Sequence, residues 1–342
     1  MIKKMIKLED VAKVVGVSMA TVSRVINNEK FVSEGVKARV NEAVKKLNYH
    51  PQWIARSLRK NKTDIISVII PSIKDYWSAA VVESIEAYFR NKNKNLILFN
   101  TDRDPKLEME LLRLALSKRV DGIIFFATSK DENGIKKMIN EIDHPIVIID
   151  NRIDVGNADF VLADDVTGAF KLVSHLIKVH KMQRIACISG VLSESSGVDK
   201  VYGYKKALIE NGIKINNDLI KEAFWDPFVS YNVTKELFSK KEKPDAIFCS
   251  NADIAIGAVR YLNDKRIKIP EDVAVVSFDD SEFIQAFNPP LTALSRIEAE
   301  IGTKAAELLE LRITGELKDD FKIYKIRSDV IIRSSCGCNT KE

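Results

Sequence analysis

Residues 8–26 read LEDVAKVVGVSMATVSRVI and contain two short amphipathic segments on either side of a glycine. Val11, Val14 and Val15 have the spacing of one helix face. Gly16 can adopt the left-handed conformation that ends a helix, and Ser18 can cap the helix that follows. Two short helices joined by such a tight turn are typical of a DNA-binding helix-turn-helix.

A third helix is expected to complete the core of this N-terminal module. Ser33 can cap it, and Val36, Val40 and Val44 repeat on one face. The second helix would then expose its N-terminal end, which is the end that enters the major groove in helix-turn-helix complexes.

The residues on the exposed side of the second helix have side chains that suit DNA. Arg24 can donate two hydrogen bonds to a guanine edge, and Met19 and Ala20 can contact thymine methyl groups. Phosphate contacts, which fix the register without reading the sequence, are predicted for Thr21, Ser23, Asn27 and Tyr49. A plain three-helix domain with no nucleic-acid partner is the competing interpretation.

The charge distribution favours the DNA-binding interpretation. Residues 1–62 carry a net charge of +9, whereas the rest of the 342-residue chain carries −4. A small basic module on a mildly acidic body indicates that only the module binds a polyanion. A solvated basic tail would show low complexity rather than the helical periodicity seen here.

The segment 51–62 is basic and contains one short apolar face. Its part 52–58 spans about two helical turns, too few to be stable alone in water. Ala55 and Leu58 share a face, and a small residue beside a leucine fits a helix that enters a minor groove and wedges a base step apart. An ordinary basic linker would explain the same residues.

From residue 65 onwards, short apolar runs alternate with amphipathic stretches. The apolar runs lie at 65–70, 96–99, 122–126 and 146–149, and again near 184–189, 246–249 and 273–278. Buried strands separated by helices predict doubly wound parallel sheets, and the repetition predicts two lobes. The fold class is therefore α/β: a three-helix headpiece and hinge helix, followed by a two-lobed core.

Ligands of such sheets bind at the carboxyl ends of the strands. Tyr76 and Trp77 follow the first strand and can stack on a sugar ring or a base, although core packing would explain this pair equally well. Asp150 ends the fourth strand and can accept hydroxyl groups. Of the pair Asp279-Asp280, one carboxylate is expected to bind ligand and the other to cap a helix. Trp225 and Asn251 are further candidates.

The headpiece motifs closely resemble those of the lactose/galactose repressor (LacI/GalR) family. They are Asp10-Val11-Ala12, Gly16-Val17-Ser18, the run from Thr21 to Asn27, Val32-Ser33, Tyr49-x-Pro51 and Ala55-x-x-Leu58. The resemblance implies major-groove contacts from Ser18, Met19, Ala20, Thr21, Ser23, Arg24 and Asn27. It also implies that the hinge orders on the operator, with Ala55 in the minor groove and Leu58 as the wedge. Gln52 departs from the asparagine usual in the family.

The resemblance extends to a periplasmic-binding-protein-like core and so covers nearly the whole chain. It implies effector contacts at Trp77, Asp150, Lys200, Trp225, Asn251 and Asp279. The family usually has an arginine where Lys200 stands, and lysine lacks the two-pronged geometry of a guanidinium.

The predicted divisions are a headpiece (1–50), a hinge (51–62) and a core (63–342), with a first lobe at about 63–163 and 293–325 and a second at about 164–292 and 326–334.

The cysteines and histidines predict no metal site or cofactor. Cys336 and Cys338 form a lone C-x-C that is interpreted as part of a frayed, reduced tail. His175 and His180 are five residues apart, a spacing that does not place them on a shared helix face.

The predicted function is transcriptional regulation, most simply repression, by a homodimer. Its predicted partners are pseudo-palindromic operator DNA and a small effector, expected to be a carbohydrate. Dinucleotide-binding, phosphate-loop and hydrolase motifs are missing from the sequence, so an enzyme is not predicted. No signal peptide or membrane segment is recognised, which predicts a cytoplasmic protein. The alternative is a sugar-binding protein without DNA function.

Overall fold

The computed structural model describes residues 6–26, 31–49, 62–128, 132–295 and 297–338. The chain divides into two compact units, with the boundary between Thr63 and Asp64. The predicted hinge segment, including Ala55 and Leu58, lies outside the described residues.

The first unit is a three-helix module. Its helices are α1 (Leu8–Val15), α2 (Met19–Ile26) and α3 (Glu34–Lys46). Gly16 ends α1 in the left-handed region, with a φ of 71°. The core is formed around Val11, Val22 and Val40, which are fully buried. Val14 is 60% exposed, so the prediction that it shares the apolar face of α1 is wrong. Ser33 precedes α3, but its hydroxyl makes no capping hydrogen bond, so that detail of the prediction is wrong.

The second unit begins with an alternation of strands and helices. In order these are β1 (Ile65–Ile70), α4 (Tyr76–Arg90), β2 (Asn95–Asn100), α5 (Pro105–Ser117), β3 (Gly122–Phe126), α6 (Glu132–Glu141), β4 (Ile146–Ile149) and β5 (Asp159–Ala163). The residues of β3 and β4 are all buried. Strands with both faces covered are typical of parallel sheets flanked by helices.

A second alternation follows and ends with a return to the first sheet. Its elements are α7 (Asp165–His180), β6 (Ile185–Ser189), α8 (Ser195–Glu210), β7 (Ile220–Glu222), α9 (Pro227–Ser239), β8 (Ala246–Cys249), α10 (Ala252–Asp264), β9 (Ala274–Ser277), α11 (Glu282–Ala286), β10 (Thr292–Leu294), α12 (Glu298–Thr314), β11 (Ile323–Ile326) and β12 (Val330–Ile331).

The strands form two six-stranded sheets, one in each lobe. The orders are β2-β1-β3-β4-β5-β11 and β7-β6-β8-β9-β10-β12. All neighbours are parallel except β10 and β12. In each sheet the strand order reverses beside the first strand, and such a switch point opens a crevice at the carboxyl ends.

The chain crosses between the lobes three times. The crossings follow β5, β10 and β11. The predicted crossing at residue 293 is too early, because Ala293 and Leu294 pair with β12 in the second sheet. The predicted return at 326 is also early by one residue, because Ile326 still pairs with Ala163. None of the helices in the described ranges could cross a membrane, being too short or too polar.

Each returning strand is held by a buried arginine–aspartate pair. Arg312 on α12 donates from Nε and Nη2 to both carboxylate oxygens of Asp159, at 2.7 and 3.1 Å, and Asp159 is fully buried. Arg333, after β12, binds both oxygens of Asp280 at 2.9 Å. The prediction that one of Asp279 and Asp280 caps a helix is therefore wrong. Ser281 caps α11 instead.

The C-terminal residues up to 338 are packed, so the prediction of a frayed tail is wrong for them. The hydroxyl of Ser335 donates to Val275 O at 2.6 Å and accepts from Thr292 N at 2.8 Å. Cys336 is fully buried. His175 and His180 also lie together, with ring centroids 5.1 Å apart. Because His180 is the last residue of α7, its ring can lie across the end of the helix.

The buried pair in the first lobe can be tested by mutation. Arg312→Met should lower the free energy of unfolding by about 3–5 kcal/mol, because it leaves the Asp159 carboxylate buried without a counter-charge. Urea unfolding of the full chain measures this. The double variant Arg312→Met/Asp159→Leu should recover most of the loss, and equal losses in the single and double variants would contradict this account. The control Lys322→Met removes only an exposed ion pair with Asp319 and should change stability by less than about 1 kcal/mol.

Candidate functional site: a DNA-binding face and a ligand cleft

Helix α2 presents the predicted DNA-contacting residues on one face. Val22 and Val25 point into the core, whereas Ser18, Ala20 and Arg24 are exposed and Met19 is 53% exposed. The side chains of Thr21 and Ser23 are half-buried at the edge of this face. This surface offers one forked cation, small apolar groups and hydroxyl groups, which are the groups that direct readout of base edges requires.

The beginning of α2 is fixed by a hydroxyl pair. Ser18 Oγ accepts from Thr21 N at 3.1 Å and lies 2.9 Å from Thr21 Oγ1. The predicted cap at Ser18 is therefore present. Two other predictions have a different outcome. Asn27 lies outside the described residues. Tyr49 is only 5% exposed and packs in the headpiece core, and its phosphate contact stays a prediction.

A cleft lies between the two lobes of the core, at the carboxyl ends of their strands. The space between its lining side chains is about 670 Å³, including solvent at its mouth. Six of the seven predicted effector residues line it: Trp77, Asp150, Lys200, Trp225, Asn251 and Asp279. The seventh, Tyr76, does not. Its ring meets the edge of Phe283 on the opposite lobe, with centroids 6.2 Å apart.

The floor of the cleft is built from the three crossings between the lobes. Its lining includes Ala163 and Asp165 of the first crossing, Ser295 and Ile297 of the second, and Ser328 of the third. Backbone hydrogen bonds join the crossings side by side, from Asp164 N to Ile326 O (2.9 Å) and from Ser295 N to Asp329 O (2.7 Å). A ligand in the cleft would therefore touch both lobes and the segments that connect them.

Two carboxylates occupy the predicted ligand positions. Asp150 follows β4 in a left-handed conformation, with a φ of 72°, and burial raises its pKa. Burial also raises the pKa of Asp279 to about 7, although nearby Lys200 opposes the shift. Both groups lie in a cleft that removes part of their hydration. Hydroxyl donors from a ligand would replace that hydration.

Lys200 is a buried cation on the wall of the cleft. Its Nζ lies 3.7 Å from Asp165 Oδ1, 5.0 Å from the ring centroid of Trp225 and 4.3 Å from that of Phe278. Burial lowers the pKa of Lys200, but the carboxylates of Asp165 and Asp279 raise it more, so the group stays charged. Among the described residues no hydrogen bond donated by Nζ is found, which leaves its N–H groups free to donate to a ligand in the cleft.

Trp225 is held by a chain of contacts that joins the lobes. Its Nε1 donates to Glu194 Oε2 at 2.8 Å, and Glu194 Oε1 lies 3.5 Å from Arg103 Nη1 of the first lobe. Burial raises the pKa of Glu194 to about 7, against the opposing effect of Arg103. Arg103 also lines the cleft and was not predicted. The strand-end rule could have identified it, because it lies three residues after β2.

Further contacts join the lobes beside the cleft. Asn151 Oδ1 accepts from Ser196 N at 3.0 Å, and Arg152 Nη2 donates to Asp199 Oδ1 at 2.9 Å. These contacts connect the end of β4 to the first turns of α8. The lobes are therefore in direct contact around the ligand positions.

The role of Asn251 is narrower than the sequence indicated. Its Oδ1 accepts from Ile254 N at 2.8 Å and caps α10. Only its amide nitrogen is left to donate to a ligand. The lining residues that were not predicted also include Asp75, Ser196, Phe278 and Glu298.

A helix-turn-helix with an exposed reading face, on the same chain as a two-lobed core with a polar cleft, defines a ligand-responsive DNA-binding regulator. Residues 7–52 match the family model of bacterial regulatory proteins of the lacI family. Residues 63–331 match that of periplasmic binding proteins and the sugar binding domain of the LacI family. The chain belongs to the LacI family.

Relatives of full length share this organisation. The HTH-type transcriptional repressor PurR of Histophilus somni (strain 129Pt) is 32% identical over 97% of this chain and 99% of its own length. That of Vibrio atlanticus (strain LGP32) is 31% identical over 97% and 98%. These matches support the DNA-binding interpretation and give no support to a sugar-binding protein without DNA function.

Solved structures show the same fold. A complex of the transcriptional regulator CelR with cellobiose is 26% identical, with a TM-score of 0.74 over 96% of this chain and 99% of the other. The lac repressor dimer bound to operator and the anti-inducer ONPF has a TM-score of 0.87 over 97% and 99%, at 24% identity.

The raised pKa of Asp279 predicts a pH-dependent stability. In the folded chain the Asp279 carboxyl keeps its proton up to about pH 7, whereas the ordinary pKa of the group is 3.8. The fold therefore becomes less stable as the pH rises between these two values. Asp279→Asn removes the charge that forms. The variant should therefore be more stable than the wild type by about 1–2 kcal/mol at pH 8 and equal to it near pH 4.

Urea unfolding of the full chain at both pH values measures this difference. Asp218→Asn, which changes an exposed carboxyl of the same lobe, is the control and should match the wild type throughout. A stability difference for Asp279→Asn that does not vary with pH would refute the electrostatic explanation.

Proposed function

We propose that this protein is a transcriptional repressor whose operator affinity is controlled by a neutral, polyhydroxylated effector, a sugar, bound between the lobes. The observation that carries the proposal is the cleft itself. It combines buried carboxylates with indole rings, and it connects through the crossings to both lobes. The full-length relatives are named as repressors, which supports repression rather than activation of transcription.

The polar groups of the cleft suit hydroxyl groups. Asp150 and Asp279 can each accept two hydroxyl hydrogens, and Lys200 can donate to a ring or hydroxyl oxygen. Asp165 Oδ1 is buried with no hydrogen-bond partner among the described residues. Several acceptors around one space match a molecule that carries several donors.

The apolar groups of the cleft suit the faces of a sugar ring. Trp77 is fixed against Phe126, with centroids 5.8 Å apart, and Trp225 is fixed by Glu194. Rigid indole rings supply flat apolar surface between the polar groups, as is common in binding sites for small molecules. The cellobiose bound by the similar regulator CelR supports a carbohydrate in this cleft.

The charge balance favours a neutral ligand over an anionic one. The lining carboxylates are those of Asp75, Asp150, Asp165, Asp279, Asp280 and Glu298. The two lining cations that the described residues supply, Arg103 and Lys200, each already lie near a carboxylate. A phosphorylated sugar would bring a further negative charge into this partly dehydrated space.

The link to DNA is proposed to run through closure of the lobes. A ligand that binds both lobes stabilises one arrangement of the three crossings, and a coupling of about 1–3 kcal/mol is typical of such control. The proposed assembly is a homodimer on a pseudo-palindromic operator, with half-sites about one helical turn apart.

Calorimetry on the full chain tests the effector class. The probes are neutral monosaccharides and disaccharides, their phosphate esters, and purine bases. A neutral sugar should bind, and its phosphate ester should not. For that sugar at pH 8, where the Asp279 carboxylate is charged, Asp279→Asn should weaken binding about 10- to 100-fold through loss of a charged acceptor, and the control Asp218→Asn should leave it unchanged. Tighter binding of a phosphate ester or a purine base would reject the proposed class.

Selection of binding sites from random duplexes by the full chain tests the reading face. On the selected site, Arg24→Ala should lose about 1–3 kcal/mol of discrimination at one base pair. Lys13→Ala, on exposed helix α1, removes the same charge and is the matched control. It should weaken binding to all duplexes alike. Equal loss of sequence preference in both variants would show that Arg24 does not read a base.

A further inference from the structure

Two histidines and two cysteines meet where the C-terminal turn contacts the end of α7. His175 Nε2 lies 3.3 Å from Cys336 Sγ and 3.7 Å from Cys338 Sγ. His180 Nε2 lies 3.3 Å from Cys338 Sγ. All four potential ligand atoms lie within 4.8 Å of one another. We propose that these four residues bind one zinc ion in a tetrahedral Cys2His2 site.

The separations between these atoms agree with the edges of a zinc tetrahedron. Zinc binds sulfur at about 2.3 Å and imidazole nitrogen at about 2.0–2.1 Å, so neighbouring ligand atoms must lie roughly 3.3 to 3.8 Å apart. The three separations between sulfur and nitrogen given above fall at or within these limits. A small ligand movement would place one ion within bonding distance of all four atoms.

The chemistry of the cluster favours zinc over harder metals. Its donors are two thiols and two imidazoles, and within the described part of the chain no carboxylate belongs to it. Thiolate and imidazole ligands select zinc or other soft metals, whereas magnesium and calcium require oxygen ligands. Four protein ligands leave no open position for water, which is the mark of a structural site.

The backbone turn at Gly337 brings the sulfur atoms of Cys336 and Cys338 to the two histidines of α7. Gly337, between the two cysteines, has a φ of 100°, in a region that L side chains rarely adopt. The preceding turn (Ser334–Cys336) is fixed beneath the second sheet by Ser335, and α7 brings both imidazoles to the turn from the other side. Both cysteines are present as free thiols.

The zinc ion would connect the end of the chain to a helix about 160 positions earlier. Because the unfolded chain has no such cluster, the free energy of zinc binding stabilises the folded core. The segment held in this way begins at Arg333, which pairs with Asp280 in the wall of the cleft. Zinc would therefore keep the second lobe's last strand in place beside the ligand positions.

Metal analysis of the full chain provides the first test. Protein purified without chelators should hold close to one zinc ion per chain by atomic emission. Cobalt(II) added to the zinc-free protein should give the intense visible absorption of tetrahedral cobalt, together with thiolate-to-cobalt charge transfer. A chain that holds no zinc, and whose cobalt spectrum shows neither feature, would overturn the proposal, as would a Cys336–Cys338 disulfide in the isolated protein.

Matched variants provide the second test. Cys338→Ser and His180→Ala should lose at least 90% of the bound zinc and the cobalt charge-transfer band. The controls Cys249→Ala and His144→Ala change a thiol and an imidazole outside the cluster and should keep both. Excess zinc should raise the melting temperature of the metal-free wild type by about 5 °C or more and should not change that of Cys338→Ser. Full zinc content in both cluster variants would place the metal elsewhere.

Discussion

The structure of the core depends on three chain crossings that lie side by side between the lobes. The backbone hydrogen bonds from Asp164 to Ile326 and from Ser295 to Asp329 connect the third crossing to the first and to the second. Neither lobe is a continuous piece of chain. A movement of one lobe relative to the other therefore affects all three crossings. Because Asp165, Ser295 and Ser328 also form the floor of the cleft, the cleft and the joint between the lobes share residues.

Buried carboxylates of the core fall into two groups. Asp159 in β5 and Asp280 in the wall of the cleft each receive both prongs of an arginine. Among the described residues, Asp150 and Asp279 of the cleft have no such arginine partner, and burial raises the pKa of both. Charge that the protein itself leaves uncompensated destabilises the empty cleft. A ligand that supplies hydroxyl donors removes this penalty in the lobe arrangement that it bridges, and that difference can bias the equilibrium between two arrangements.

The sequence was most informative where the signal was local and long enough to repeat. Buried runs such as 122–126 predicted strands, and the rule that ligands follow strand ends identified Trp77 and Asp150. The three-residue strands β7 and β10 were missed because they are too short to show any periodicity. Asp280 was assigned to capping because its partner, Arg333, lies 53 positions away and no local pattern reveals it. For the same reason the histidine spacing was misleading: the residues that complete the cluster come from the other end of the core.

The last 45 residues of the chain decide how the two lobes are held together. Helix α12 and β11 complete the first sheet, where Arg312 binds Asp159, and β12 completes the second, where Arg333 binds Asp280. A terminal segment that supplies an edge strand to both sheets would fray easily, because edge strands are paired on one side only. Each attachment therefore adds side-chain contacts to the backbone hydrogen bonds of its edge strand. In the first lobe these contacts include the forked ion pair of Arg312 with Asp159. In the second lobe the ion pair of Arg333 with Asp280 is followed by the hydrogen bonds of the Ser335 hydroxyl to Val275 and Thr292, so two neighbouring residues attach this segment to the second sheet.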